Sequence, residues 1–150
     1  MVALLDVNFL VALAWPNHVH HTAALAWFER HHGEGWATCS VTQSGFVRVS
    51  SNKAVLPEAK TPHEALFLLR RIVALPHHVF WVDDVSLASS EHVDASRLLG
   101  YRQVTDAHLL ALALRHGGRL ATLDAGVREL VPRGRDRTEV VALVGAGEGG

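Results

Sequence analysis

The chain has 150 residues, 49% of them hydrophobic and 19% charged, which describes one globular domain able to bury its own core and argues against disorder. Fourteen Lys plus Arg against fifteen Asp plus Glu leave a formal charge of −1, so the chain has no overall basic footprint and any nucleic-acid contact must rest on a local patch. The single cysteine, Cys39, excludes an internal disulfide and with it the small secreted scaffold, and it reads as a small core residue.

Val2-Ala3-Leu4-Leu5-Asp6-Val7 is a continuous apolar run that ends in a carboxylate, the pattern of a strand buried on both faces of a parallel sheet. With no basic n-region before it and Asp6 interrupting it, neither a signal peptide nor a membrane span is expected, and the expected compartment is the cytoplasm. Asn8 to Ala14 reads as a short helix halted by Trp15-Pro16-Asn17. His18 to His32 reads as a second helix, anchored by Leu25 and Phe28 and stopped by Gly33. Gly35 to Ser40 is the next strand, and Thr42 is the expected N-cap of a helix running to Val49. Gly45 costs that helix roughly 1 kcal/mol relative to alanine, which suggests a position that needs the lack of a side chain.

Ser50 to Lys60 reads as loop, followed by the capping box Thr61-Pro62-His63-Glu64 and a helix that ends before Pro76. Val79 to Asp84 is a strand, and Ser89 to Leu99 is expected to be helical. Val104 to Leu114 is a helix buried nearly all round, with Asp106 in its first turn and Gly117-Gly118 as its stop. Leu120 to Asp124 and Val140 to Val144 are the last two strands, and Arg133 to Arg137 is an exposed turn before the second of them. Strands alternate with helices throughout, so the expected architecture is an α/β sandwich on a mostly parallel sheet, with a domain over 1–144 and a frayed tail over 145–150.

Asp6, Asp106 and Asp124 thus fall at two strand exits and one helix start, which a parallel sheet can gather at its carboxyl edge. Helix starts and strand exits attract Asp in any case, and three unrelated structural aspartates remain an open reading of the spacing. If the three do cluster, their mutual repulsion calls for a cation, and hard oxygen ligands suit Mg²⁺ or Mn²⁺. Such an ion can generate hydroxide from water and stabilise a phosphoryl oxygen, the needs of phosphodiester hydrolysis.

Leu4-Leu5-Asp6-Val7-Asn8, Val104-Thr105-Asp106-Ala107 and Leu120-Ala121-Thr122-Leu123-Asp124, in this order, resemble the motifs of PIN-domain ribonucleases, and within them the VapC-type toxins of bacterial toxin–antitoxin pairs. The likeness runs to about Leu143. It implies a PIN-like three-layer sandwich and a Mg²⁺-dependent endoribonuclease acting on single-stranded RNA through a metal-activated water. It further implies a homodimer held in check by a cognate VapB-like antitoxin. Asp6 and Asp106 match the principal metal positions and Asp124 the third acidic one, while Thr122 and Asn8 match supporting polar positions.

The chain departs from the family pattern at one place. The family carries an acid in the helix after the second strand, as Thr-x-x-Glu, whereas Thr42 is followed by Gln43-Ser44-Gly45. Gln43 or Ser44 is then left to hold a metal-bound water. This motivates the alternative of a catalytically weakened PIN-like module that binds RNA or antitoxin. A phosphatase or DNA nuclease would use the same ligands.

Other features carry less. His18, His20, His21, His31 and His32 read as solvated residues near helix ends rather than ligands. Arg48, Lys53, Arg102 and Arg115 are candidates for an RNA-backbone patch, with ordinary solvated surface as the rival reading. Trp15, Trp27, Trp36 and Trp81 read as core or dimer interface, with Trp15 beside Pro16 as a conceivable antitoxin contact.

Overall fold

The computed structural model describes residues 1–145. Five strands, β1 (Ala3–Leu5), β2 (Trp36–Cys39), β3 (His78–Trp81), β4 (Arg119–Thr122) and β5 (Val141–Leu143), form one sheet in the order β3-β2-β1-β4-β5. Every neighbouring pair is parallel, so the sheet is wholly rather than mostly parallel. Six α-helices surround it: α1 (Val7–Ala14), α2 (His21–His31), α3 (Ser40–Ser50), α4 (Pro62–Val73), α5 (Val104–Arg115) and α6 (Arg137–Val140).

Strand side chains alternate between faces, and each face has its own core. Ala3, Leu5, Trp36, Ala121 and Ala142 pack against Phe9, Leu10, Trp27, Phe46 and Leu69 from α1 to α4. Leu4, Ala37, Cys39, Leu120 and Val141 pack against Leu109, Leu110, Leu112 and Leu114 of α5 and against Val127 and Leu130. This is the expected three-layer sandwich, with β1 at its centre. In α5, Ala107 and Leu109 to Leu114 are all buried, so that helix forms the spine of the second core.

Local chemistry sets the helix starts. Asp6 caps α1 by accepting from the Phe9 N–H, and Thr61 and Glu64 form the expected capping box on α4 with Pro62 in its first turn. The stop after α5 also holds: Gly117 sits at φ 68°, and a Cβ on Gly118 would lie 2.4 Å from the Val2 carbonyl oxygen. The backbone therefore turns straight from α5 into β4.

Several expected boundaries move. Helix α3 starts at Ser40, directly off β2, so Thr42 is its third residue and not its N-cap; the Thr42 hydroxyl accepts from the Cys39 N–H at 2.9 Å. Helix α2 begins at His21 because Trp15 to His20 close into turns, with His18 N–H donating to the Trp15 carbonyl and His21 N–H to that of His18. Its buried face is Ala24, Trp27 and Phe28, and the expected anchor Leu25 is exposed. β3 ends at Trp81, before Asp83 accepts from Val85 N–H in a turn, and Val140 ends α6 rather than opening β5. A 3₁₀ segment over Ala125–Leu130 follows β4, a segment the sequence reading did not anticipate.

The helix expected over Ser89 to Leu99 does not form; only Ala95–Arg97 makes a 3₁₀ turn, and Tyr101–Gln103 makes another before α5. Ser90 Oγ accepts from the His92 N–H and Asp94 Oδ1 from the Ser96 N–H, so short polar side chains take the backbone donors a helix would use. All four tryptophans are buried in the two cores, and the Trp15 indole donates to Ser50 Oγ at 3.2 Å, which removes Trp15 as a surface contact. Cys39 is buried as expected. Of the expected tail only Gly145 is described; the rest lies outside the described residues. Among the described residues no helix is long and apolar enough to cross a membrane.

Candidate active site

In a wholly parallel sheet all strand carboxyl ends share one edge, the edge where open α/β sheets bind ligands. Asp6 directly follows β1, and Asp124 lies two residues beyond β4. Because α5 turns at Gly117-Gly118 into the start of β4, its own first turn, with Asp106, returns to the same edge. Topology alone therefore brings the three aspartates of the sequence motifs to one end of the molecule.

Asp6 is buried and held at both oxygens. Oδ1 accepts from the Phe9 N–H at 2.7 Å, and Oδ2 accepts from the Thr122 hydroxyl at 2.5 Å. Thr122 is itself fully buried, and its Oγ1 also accepts from the Asp124 N–H at 3.1 Å. Burial pushes the Asp6 carboxyl up to about 6; the bonds from Thr122 and Phe9 pull it down, while Asp106 and Asp124 push it further up. Asp106 is half-buried, and desolvation followed by repulsion from Asp124 raises it to about 6 as well. Asp124 is exposed and caps the following 3₁₀ segment through Oδ1, which accepts from the Gly126 N–H at 2.8 Å.

The three carboxylates thus feel one another, and no Lys or Arg contributes to either shift. Such an uncompensated set fits a hard divalent cation, and each carboxylate oxygen that accepts one hydrogen bond keeps a lone pair for it. Among the described residues no three His, Cys, Asp or Glu side chains form a ready-made ligand set for one ion. A shared ion therefore requires side-chain adjustment, for which exposed Asp124 has the most freedom.

A cavity of about 370 Å³ opens beside these acids, lined by Asp6, Asn8, Leu123, Asp124 and Ala125 together with His18 and His20. Asn8 thus lines the cavity, and Thr122 bonds to Asp6 and to the Asp124 backbone beside it. Gln43 is tied away from it: its amide donates to Thr38 Oγ1 at 3.0 Å, and Thr38 Oγ1 in turn contacts His78 Nε2 at 2.8 Å. Ser44 lies exposed on α3. Gly45 is buried, and a Cβ there would meet Val7 Cγ2 at 2.5 Å, so close packing of α3 on α1 occupies the space a side chain would need.

His18 and His20 are the lining residues that sequence reasoning set aside. Their signal was adjacency to the turn Trp15-Pro16-Asn17, which gives no direction until the loop is folded. The remaining histidines of that group are structural: His21 Nδ1 contacts the Ala12 carbonyl, and His31 and His32 stack on Trp27 and Phe28. Of the basic candidates, Arg115 pairs with Asp84 at 3.1 Å and Arg102 lies over the Tyr101 ring, so these two have protein partners of their own.

The family model described as PIN domain matches residues 3–131, a span that contains all three aspartates, and the chain belongs to the PIN-domain family. Within that family it groups with VapC ribonucleases. It is 48% identical to Ribonuclease VapC39 of Mycobacterium tuberculosis over 134 residues, covering 89% of this chain and 96% of that protein. It is 51% identical to Ribonuclease VapC38 of the same organism over 142 residues (95% and 98% covered), and 42% identical to Ribonuclease VapC44 over 143 residues (95% and 100%).

Proposed function

We propose that the chain is a Mg²⁺-dependent endoribonuclease, the toxin of a VapBC-like pair, working in the cytoplasm as a homodimer restrained by a VapB-like antitoxin. Its similarity to proteins named Ribonuclease VapC39 and Ribonuclease VapC38 supports the RNA substrate. The observation that carries the catalytic reading is Asp6: a buried carboxylate, bonded on both oxygens, raised to about 6 and facing two further acids with no basic partner among the described residues. A fold keeps so costly an arrangement where a cation offsets it.

Asp6, Asp106 and Asp124 would hold Mg²⁺, with Mn²⁺ as a substitute. When bound, such an ion lowers the pKa of a water and stabilises negative charge on phosphoryl oxygens. The protein's part is positional. Thr122 and the Phe9 N–H fix the Asp6 rotamer, and the Gly126 N–H together with the Thr122 contact fixes the backbone and side chain of Asp124. The rigid buried body of α5 carries Asp106 to the edge. Asp6 and Asp106 must be ionised to hold the ion, so protons compete with Mg²⁺ there and more Mg²⁺ is needed for activity as the pH drops toward about 6.

The blocked position at Gly45 favours one second reading, a PIN-like module that retains RNA or antitoxin binding with weakened catalysis. A panel of single-stranded RNA, single-stranded DNA and a small phosphodiester, each with Mg²⁺ or with EDTA, separates the readings. Cleavage of RNA alone, and only with Mg²⁺, supports the ribonuclease. Retention of RNA without cleavage supports the binding module, and preferential hydrolysis of DNA or the small ester overturns both.

A further inference from the structure

The acidic cavity has a second wall, His18 and His20 from the loop between α1 and α2. That loop is well anchored. The Trp15 N–H donates to the Val11 carbonyl and its indole to Ser50 Oγ, and the His18 and His21 N–H groups close successive turns. Asn17 Nδ2 adds a bond to Glu58 at 2.9 Å. The two imidazoles are therefore placed by the fold, with ring centroids 5.7 Å apart.

One contact fixes the form of His18. The His20 N–H donates to His18 Nδ1 at 3.0 Å. A backbone N–H can only donate, so Nδ1 must keep its lone pair, and the proton of the neutral ring is on Nε2. Burial, and then His20 and His21, also hold the His18 pKa below the ordinary histidine value. His18 consequently offers the cavity an N–H donor. It has neither a free lone pair for a metal nor a fixed positive charge.

Such a donor meets a need of the site. Among the described residues the cavity wall carries two carboxylates and no Lys or Arg, so an entering phosphate meets repulsion that a cation at the acids offsets only on its own side. Phosphate oxygens turned away from that side require N–H donors, and among the described residues Asn8, His18 and His20 supply them from side chains of the wall. We propose that His18, through its Nε2–H and backed by His20, is a positioning residue that binds a phosphate of the RNA strand beside the scissile bond. This rests on the ribonuclease reading of the cavity.

Two substitutions separate the donor from the loop contact. His18→Asn keeps an oxygen where Nδ1 accepts from the His20 N–H but removes the distal donor. His18→Gln restores an amide N–H near the Nε2 position. The measurements are equilibrium binding of a labelled single-stranded RNA oligonucleotide with Ca²⁺ in place of Mg²⁺ across a salt series, KM and kcat with Mg²⁺, and thermal melting of each variant. The expected result is about a tenfold or greater loss of affinity, read also in KM, for His18→Asn, with the salt slope of the wild type because no cation is lost. His18→Gln should stay within about threefold of wild type. Wild-type affinity and KM in folded His18→Asn, or equal losses in both folded variants, overturn the assignment of His18 alone. A wild-type chain that neither binds nor cuts RNA overturns this assignment together with the ribonuclease reading.

Discussion

The Thr122 hydroxyl donates to Asp6 Oδ2 at 2.5 Å and accepts from the Asp124 N–H at 3.1 Å, so one side chain on β4 joins the first acid of the site to the backbone of the third. Asp6 and Thr122 are 116 residues apart in sequence, and the parallel pairing of β1 with β4 is what brings them together.

Replacing that hydroxyl tests its role with little change in shape. In Thr122→Val, Asp6 loses one of the two bonds that lower its pKa, so the carboxyl rises above about 6 and the acidic limb of the pH–rate profile moves to higher pH. At neutral pH the expected loss in kcat/KM is on the order of tenfold to a hundredfold, with a stability loss of about 1–3 kcal/mol from the unsatisfied groups. A pH–rate profile and a denaturant melt of the variant check both. An unmoved acidic limb contradicts the assigned role.

The raised carboxyls also fix the sign of a stability effect in metal-free protein. A carboxyl at about 6 in the folded chain and near 3.8 in the unfolded one keeps its proton on folding between those values, so its contribution to stability falls as pH rises from about 4 to about 6 and stays low above. For Asp6 this is on the order of 3 kcal/mol. Asp6→Asn should therefore melt several degrees above wild type at pH 7.5 in EDTA, lose that advantage near pH 4, and gain less than wild type from added Mg²⁺. Thermal melts at the two pH values decide the matter; parallel melting temperatures throughout contradict it.

The contact of Gly45 with Val7 yields a prediction against helix propensity. Alanine ordinarily favours a helix over glycine by about 1 kcal/mol, but a Cβ here would sit 2.5 Å from Val7 Cγ2. Gly45→Ala should destabilise by about 1–3 kcal/mol, and Val7→Ala in the same chain should recover much of it. Gly45→Glu, which restores the acid of the family pattern, should lower the melting temperature further and fail to raise activity. A double-mutant cycle by chemical denaturation measures the coupling.

These residues also show what the sequence made legible. The convergence of Asp6, Asp106 and Asp124 on one edge is legible because an apolar run stops at Asp6 and Gly117-Gly118 returns a buried helix into a strand, whereas their reading as one metal site comes from the resemblance to PIN-domain motifs and not from their spacing. The apolar stop and the glycine turn are short-range patterns of burial and turning, and the parallel sheet converts them into one edge. His18 and His20 were not readable as cavity residues, because their placement depends on the Trp15 indole reaching Ser50, a contact 35 residues away. Gly45 announced a need for space but not its neighbour, Val7. The segment from Ser89 to Leu99 has the length of a helix, but Ser90 and Asp94 supply the local competitors that prevent one.

If the acids at this edge make a Mg²⁺-dependent nuclease, removing one of them or the ion must stop cleavage. The most direct measurement compares cleavage of single-stranded RNA by purified wild type and Asp106→Asn, each titrated with Mg²⁺ and then treated with EDTA. The expected result is Mg²⁺-dependent cleavage by wild type, stopped by EDTA, and a loss of at least about a hundredfold in Asp106→Asn at equal folded content. Cleavage by Asp106→Asn at the wild-type rate, or wild-type cleavage indifferent to EDTA, would contradict it.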